Sequence, residues 1–306
     1  MTPEFLLTQL LNGIQFGVLL FLMAAGLTLV FGIMSFVNLA HGSLYMAGAY
    51  VAALTAARTG SFTLALVAAV VGLFVLGLVL DRLGFAALQR RDHLDQVLAT
   101  FGVVLFANEA VRMLFGNAPL YMDAPAALAQ PVVIAGFNYP AYRGSIIVAG
   151  LAVAIGLHVL IERTRLGMLI RAGASNRRMV SALGVNVGWL ARLVFALGAA
   201  LAGLAGAMVG PILSIQPGMG EPVLILTLVV IVVGGIGSIR GALFGALVVG
   251  IVDTLGRGVL PGLLHLVLSP ALASAAGPAL ASVGVYLLMA AVLAFKPDGL
   301  FPVRHA

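Results

Sequence analysis

The chain has 306 residues, of which 62% are hydrophobic and only 8% charged, with a mean hydropathy of +1.17. Sixteen basic and ten acidic side chains cannot clothe a globule of this length, since a soluble domain carries about 25% charged residues. This excludes a soluble enzyme, a disordered tail and a repeat solenoid, and long apolar runs without alternation argue against a β-barrel and for membrane helices.

The N-terminus carries Glu4 and no basic stretch ahead of its first apolar run. That run therefore reads as a retained span rather than a cleaved signal. Further along the chain, hydropathy predicts segments at about 6–33, 40–57, 62–81, 94–116, 144–161, 189–210, 222–237, 241–257 and 279–295. A spanning helix needs roughly 20 residues, so the shorter segments are expected to be tilted, broken or re-entrant. The segment at 222–237 is the most suspect. Pro211, Pro217, Gly218, Gly220 and Pro222 break the backbone before it, and Gly234 and Gly235 break it after. The expected fold is all-α: a polytopic membrane bundle of about 8–9 transmembrane or re-entrant helices, forming a single domain over 1–306.

Arginine placement sets the orientation. One loop carries Arg82, Arg90 and Arg91; a second carries Arg163, Arg165, Arg171, Arg177 and Arg178; the tail carries Lys296 and Arg304. These regions are expected in the cytoplasm, and loop 117–143, with only Arg143 as a base, outside. Nine crossings put the N-terminus outside; eight with a re-entrant segment change that.

Polar residues at membrane depth are costly and therefore informative. Asn38, His41 and Tyr45 lie between two early spans, and Asn108 and Glu109 lie inside a later one. These five are the candidates for the translocation path. Glu109 with Arg112 and Asp253 with Arg257 are spaced to neutralise themselves on one helix face. His158 sits one turn from Glu162, which suggests an interfacial pair. Small residues spaced for close helix packing recur at Gly198, Gly203, Gly206 and Gly210, and again at Gly237, Gly241 and Gly245.

The longest polar stretch on the expected inner side is 162–188. Ser175 or Asn176 suits a helix N-cap and Gly184 a helix stop. Asn176, Met179, Val180 and Leu183 fall on one face, Arg177 and Arg178 on the other. Such a short amphipathic helix needs a surface to lean on. Anionic lipid and a cytosolic protein partner are both open readings.

The inventory closes other chemistries. There is no cysteine, and the single lysine, Lys296, stands outside any phosphate-binding Gly-x-x-x-x-Gly-Lys-Ser/Thr loop. No His-x-x-x-His or Glu-x-x-His pair offers a metal site. No soluble basic domain offers itself to nucleic acid.

Three blocks together resemble a known family. GLTLVFGIMSFVNLAHGSLYMAGAYVA (26–52), RAGASNRRMVSALGVNVGWLARLVFALGAALAGLAGAM (171–208) and GGIGSIRGALFGALVVG (234–250) are similar, in this order, to the branched-chain amino-acid ABC permeases of the LivH/LivM type. Ser43 stands where that family often carries an acid. The resemblance implies a subunit of an importer in the bacterial cytoplasmic membrane. Its expected partners are a second permease subunit (a homologue or a copy), two cytosolic ATP-binding subunits that hold ATP and Mg, an extracytoplasmic substrate-binding protein, and membrane lipid. No cofactor is expected in this chain. The family's coupling role falls here on Arg171, Ser175, Asn176, Arg177, Arg178, Met179, Val180, Leu183 and Gly184. The implied solute is a branched-chain or other hydrophobic amino acid, with urea, short amides or another small solute as the alternative. A lone carrier or channel is a remoter alternative.

Overall fold

The structure, a computed structural model, describes residues 2–34, 38–89, 91–134 and 136–302. Arg90 and Arg304, counted above among the cytoplasmic bases, lie outside the described residues. The chain forms α1 (Pro3–Met34), α2 (His41–Thr59) and α3 (Phe62–Leu80), which runs on through a π-helical stretch Asp81–Phe85 into a last turn, α4 (Ala86–Leu88). Next come α5 (His93–Phe115), a small antiparallel hairpin of β1 (Pro131–Ile134) and β2 (Phe137–Pro140), and α6 (Ala141–Arg163). Two short helices follow, α7 (Arg165–Ser175) and α8 (Arg177–Ala182). The chain ends with α9 (Val187–Val209), α10 (Gly220–Gly234), α11 (Ile239–Leu264) and α12 (Pro270–Phe295).

α1 is the axis of the bundle. It is apolar all round rather than along one stripe, and every residue from Gly17 to Val30 is buried. A helix of that kind belongs at the centre. α6, α9, α10 and α11 pack against it, α2 packs on α9 and α3, and α5 and α12 turn most of their surface outward.

Among the described residues seven helices are long and apolar enough to cross a membrane; α2 and α10 are not among them. Both begin at depth. The His41 ring, at the start of α2, reaches the Met23 carbonyl in the middle third of α1. A side chain on Gly26 would strike both that ring and Gly198, the middle of α9. Gly42 lies against Gly220, the first residue of α10, so the two helices start face to face. α10 has 15 residues, about 22 Å of helix, and ends where the C-terminal tail crosses it. The carbonyls of Val233 and Gly234 accept hydrogen bonds from the Leu300 and Phe301 amides, each at 2.9 Å. Orphan carbonyls at a helix end are thereby satisfied. The suspected break around 222–237 is real, and it lies in the segment leading into this helix.

The helix count agrees with the sequence, but two boundaries do not. α11 runs on to Leu264 with Pro261 inside it, and α12 starts at Pro270 with Pro278 inside it. The segments expected at 241–257 and 279–295 therefore fall short, since in a bundle a proline removes one hydrogen bond without ending the helix. Asn12 of α1 bonds to Arg143 and Tyr139 beside the hairpin, so the start of α1 lies at the hairpin's end of the bundle, away from the arginine-rich turn after α6.

Glycines carry the closest approaches. Gly48 meets Gly203, Gly206 meets the Tyr45 carbonyl, Gly245 meets the Val230 carbonyl, and Gly241 meets Gly234. Gly13 and Gly17 accept α11 at Gly250 and Ile251 in the same manner. Gly210 sits at the outer end of α9 under Met122. Gly237 departs from the expected seam: it lies in the turn before α11 at φ 83°, where left-handed backbone favours glycine.

Gly206→Val should cost about 3 kcal/mol through backbone overpacking, whereas Gly102→Ala, with nothing within 4 Å of the added carbon, should stay within about 0.5 kcal/mol. Denaturant titration in mixed micelles, followed by helical signal, measures both.

Candidate coupling hairpin and translocation elements

α6 ends at Thr164, whose extended backbone turns the chain and whose hydroxyl accepts the Gly167 amide at 3.1 Å to start α7. The turn is so tight that a side chain at Gly167 would strike the carbonyls of Leu160 and Ile161. Arg171 then folds back onto α6, donating to the Ile161 carbonyl. Asn176 caps α8 by accepting the Met179 amide at 2.9 Å, and Gly184 ends the turn after it at φ 86°. Ser175 closes α7 and is exposed.

The expected leaning face is only partly used. Val180 is buried at 6% exposure, while Met179 at 59% and Leu183 at 77% stand in the open. α8 has six residues and packs chiefly against α7 and α9. A neighbour that narrow covers one residue of the stripe. Arg177 and Arg178 are exposed beside them.

A polar relay ties α8 to the bundle. Arg177 donates to Gln89 Oε1 at 3.2 Å, Gln89 donates to Asp81 Oδ1 at 3.3 Å, and Arg192 Nε donates to Asp81 Oδ2 at 3.1 Å. The Asp81 side chain is 2% exposed and Arg192 also lies over Trp189. Sequence reasoning passed over Asp81. Its signal was available: an acid set directly against the 17-residue apolar run Leu64–Leu80 must find a cation in the fold.

On the same inner half lies a groove of about 660 Å³. α1 forms its floor through Phe21, Thr28, Leu29, Gly32 and Ile33; α6, α7 and the start of α11 form its sides. Its mouth holds Glu162 between Arg171, at 3.6 Å, and Arg240, at 3.9 Å. Glu162 thus faces two arginines rather than forming the ion pair expected with His158, which lines the groove instead. At the outer end a smaller cavity of about 370 Å³ is bordered by Gln9, Asn12, Arg143, Asp253 and Arg257. Asp253 and Arg257 pair at 2.8 Å as their spacing predicts, and Arg257 also bonds Ser282.

The five polar residues expected on one path are not brought together. Asn38 and Tyr45 are buried beside His41 in packing around the start of α2, where Asn38 Oδ1 accepts the Ala40 amide. Asn108 donates to Glu221 of α10 at 2.5 Å. Glu109 forms its own-helix pair with Arg112 at 2.5 Å, in the open. None of the five borders either cavity. Among the described residues no cluster of His, Asp or Glu could hold a metal ion.

Residues 9–293 match the model of a family described as the permease component of branched-chain amino acid transport systems. The chain belongs to this family. It is 30% identical to the high-affinity branched-chain amino acid transport system permease protein BraD of Pseudomonas aeruginosa, over 96% of this chain and 95% of that one. It is 31% identical to the permease protein LivH of Escherichia coli, over 85% and 89%. A shorter match, 34% identical over 31% of this chain and 28% of the relative, is to a fructose import permease protein, FrcC, of Rhizobium meliloti. No solved structure matches. Family membership and the seven spanning helices make this a multi-pass membrane protein, of the inner membrane in bacteria, and a permease subunit rather than an enzyme.

Arg192→Gln leaves the Asp81 carboxylate buried without its cation and should cost about 3 kcal/mol. Asp81→Asn with Arg192→Gln should recover most of that loss. A double-mutant cycle of unfolding free energies checks the pair.

Proposed function

We propose that this chain is a translocation subunit of an ATP-driven importer of branched-chain or other hydrophobic amino acids. It works beside a second permease subunit. Two cytosolic ATP-binding subunits hold ATP and Mg, and an extracytoplasmic binding protein delivers the solute. The observation that carries the reading is α8. Two large apolar side chains, Met179 and Leu183, stand exposed at the arginine-rich end of the molecule, beside Arg177 and Arg178. An apolar centre with a cationic rim is what a docked protein surface would cover. Asn176 and Gly184 set the bounds of the helix, Val180 anchors it, and the Arg177–Gln89–Asp81–Arg192 relay ties it to α3 and α9.

In this mechanism, closure of the ATP-binding subunits pushes on α8. The push passes through α7 to the inner ends of α6 and α11 and exchanges inward-facing for outward-facing packing. Such alternating access is a population shift between two arrangements, driven by whatever binds them unequally. The solute assignment draws on the printed names of the relatives with nearly full-length matches.

Met179→Asp with Leu183→Asp should leave the chain folded, since both side chains are exposed. ATP-driven uptake into proteoliposomes of the assembled transporter should fall by at least tenfold, roughly the loss of a docking hot spot. The ATP-binding subunits should no longer co-purify. Undiminished uptake with the subunits still bound would overturn the docking role. Uptake by this chain alone, without ATP, would overturn the importer reading.

A further inference from the structure

The groove at the inner end is chemically divided. Its floor is lined by the buried Phe21, Leu29 and Ile33, its sides include Leu243 and the exposed Ile155, and its mouth carries charges of both signs. At 3.6 and 3.9 Å from the two arginines, Glu162 makes hydrogen bonds to neither. The Glu162 carboxylate thus keeps acceptor capacity, and Arg240 donor capacity, for a further polar group beside them. Two fixed cations flank one fixed anion, so the mouth carries one unmatched positive charge. The volume, about 660 Å³, lies in the range of small-molecule sites.

We propose that this groove is the inward-side binding site for the zwitterion of an aliphatic amino acid. The carboxylate lies on Arg240 and Arg171, the ammonium on Glu162, and the side chain against the apolar wall. This rests on the importer reading above and adds to it a site and a set of residues. Three observations favour this occupant over a phospholipid of the inner leaflet. The carboxylate between the arginines would repel a phosphate but matches an ammonium. An aliphatic side chain fits the wall below. Finally, Ile170, Arg171, Ala174 and Ser175 of α7 border the groove. The element that leads directly into α8 therefore forms one wall, and a push on α8 would reshape the site that holds the solute.

The chain contains no cysteine, so Ala154→Cys, within the groove, introduces a unique thiol. The assembled transporter carrying it is placed in nanodiscs and labelled with a maleimide, with or without L-leucine. Saturating L-leucine should slow labelling about tenfold, by mass action at roughly ten times its dissociation constant. 4-Methylpentanoate, which lacks the ammonium, and isopentylamine, which lacks the carboxylate, should protect little. Glu162→Gln or Arg240→Gln should each raise the leucine concentration needed for half protection about tenfold, as loss of one charge-assisted hydrogen bond does. Lack of protection by leucine, or equal protection by the two analogues, overturns the site. Protection that follows the anionic-lipid content of the nanodisc and ignores leucine also overturns it and makes the groove a lipid site. Leucine uptake by the unsubstituted transporter is measured in parallel. ATP-driven uptake without protection removes the groove and leaves the importer; absent uptake removes the importer reading itself.

Discussion

Every peptide group inside hydrocarbon must find a partner within the protein, at a cost of several kcal/mol for each that does not. This constraint governs the architecture because the backbone breaks twice within the bundle, before α2 and before α10. The break before α10 is closed by short-range bonds and by pairing of Ile215 with Leu120, whose amides and carbonyls exchange bonds at 2.8 and 2.9 Å. Before α2, the His41 amide bonds to the Asn38 carbonyl and the Asn38 side chain takes the Ala40 amide. Both segments need cover, and the glycine contacts let the helices come close enough to give it. Gly42 against Gly220 and Gly26 against Gly198 seal the place where the two short helices begin.

The same packing separates a fixed part of the molecule from parts that can change shape. α1, α2, α3 and α9 meet through glycine and alanine at backbone distance, and such contacts do not deform gradually. Around the groove the contacts are looser: α6 and α11 are separated over the floor of α1, and Gly32 has open space beside it. The arginine-rich hairpin borders this looser region. Energy delivered at α8 would therefore act where packing resists least.

Much of this was legible in the sequence. The apolar runs gave a bundle of about 8–9 transmembrane or re-entrant helices, because lipid leaves the chain few other choices, and the glycine spacing marked α9 and α11 for close approach. Asn176 and Gly184 were readable as helix signals because caps act locally. What stayed hidden depends on long-range placement. Asp81 with Arg192 joins residues far apart in sequence, and nothing near Asp81 names its partner. Glu162 turned from His158 to Arg171 and Arg240 because α7 folds back over the end of α6. His41, conspicuous as a lone polar residue, was absorbed into packing by a single carbonyl. α11 and α12 extend past the expected limits at 257 and 279 because the local cost of Pro261 and Pro278 is offset by neighbouring helices.

The tail that closes α10 has a mechanical consequence. Leu300 and Phe301 bond the last carbonyls of α10, Gly299 rests on Gly235, and Phe301 stacks on Phe244 of α11 at 5.0 Å. Three residues separate Gly299 from the end of α12. With so short a tether, α10 cannot slide along its own axis like a piston. Any axial stroke of this half-length helix must drag α12 and the inner end of α11 with it, so the three behave as one strapped lever whose far tip is the junction with α2.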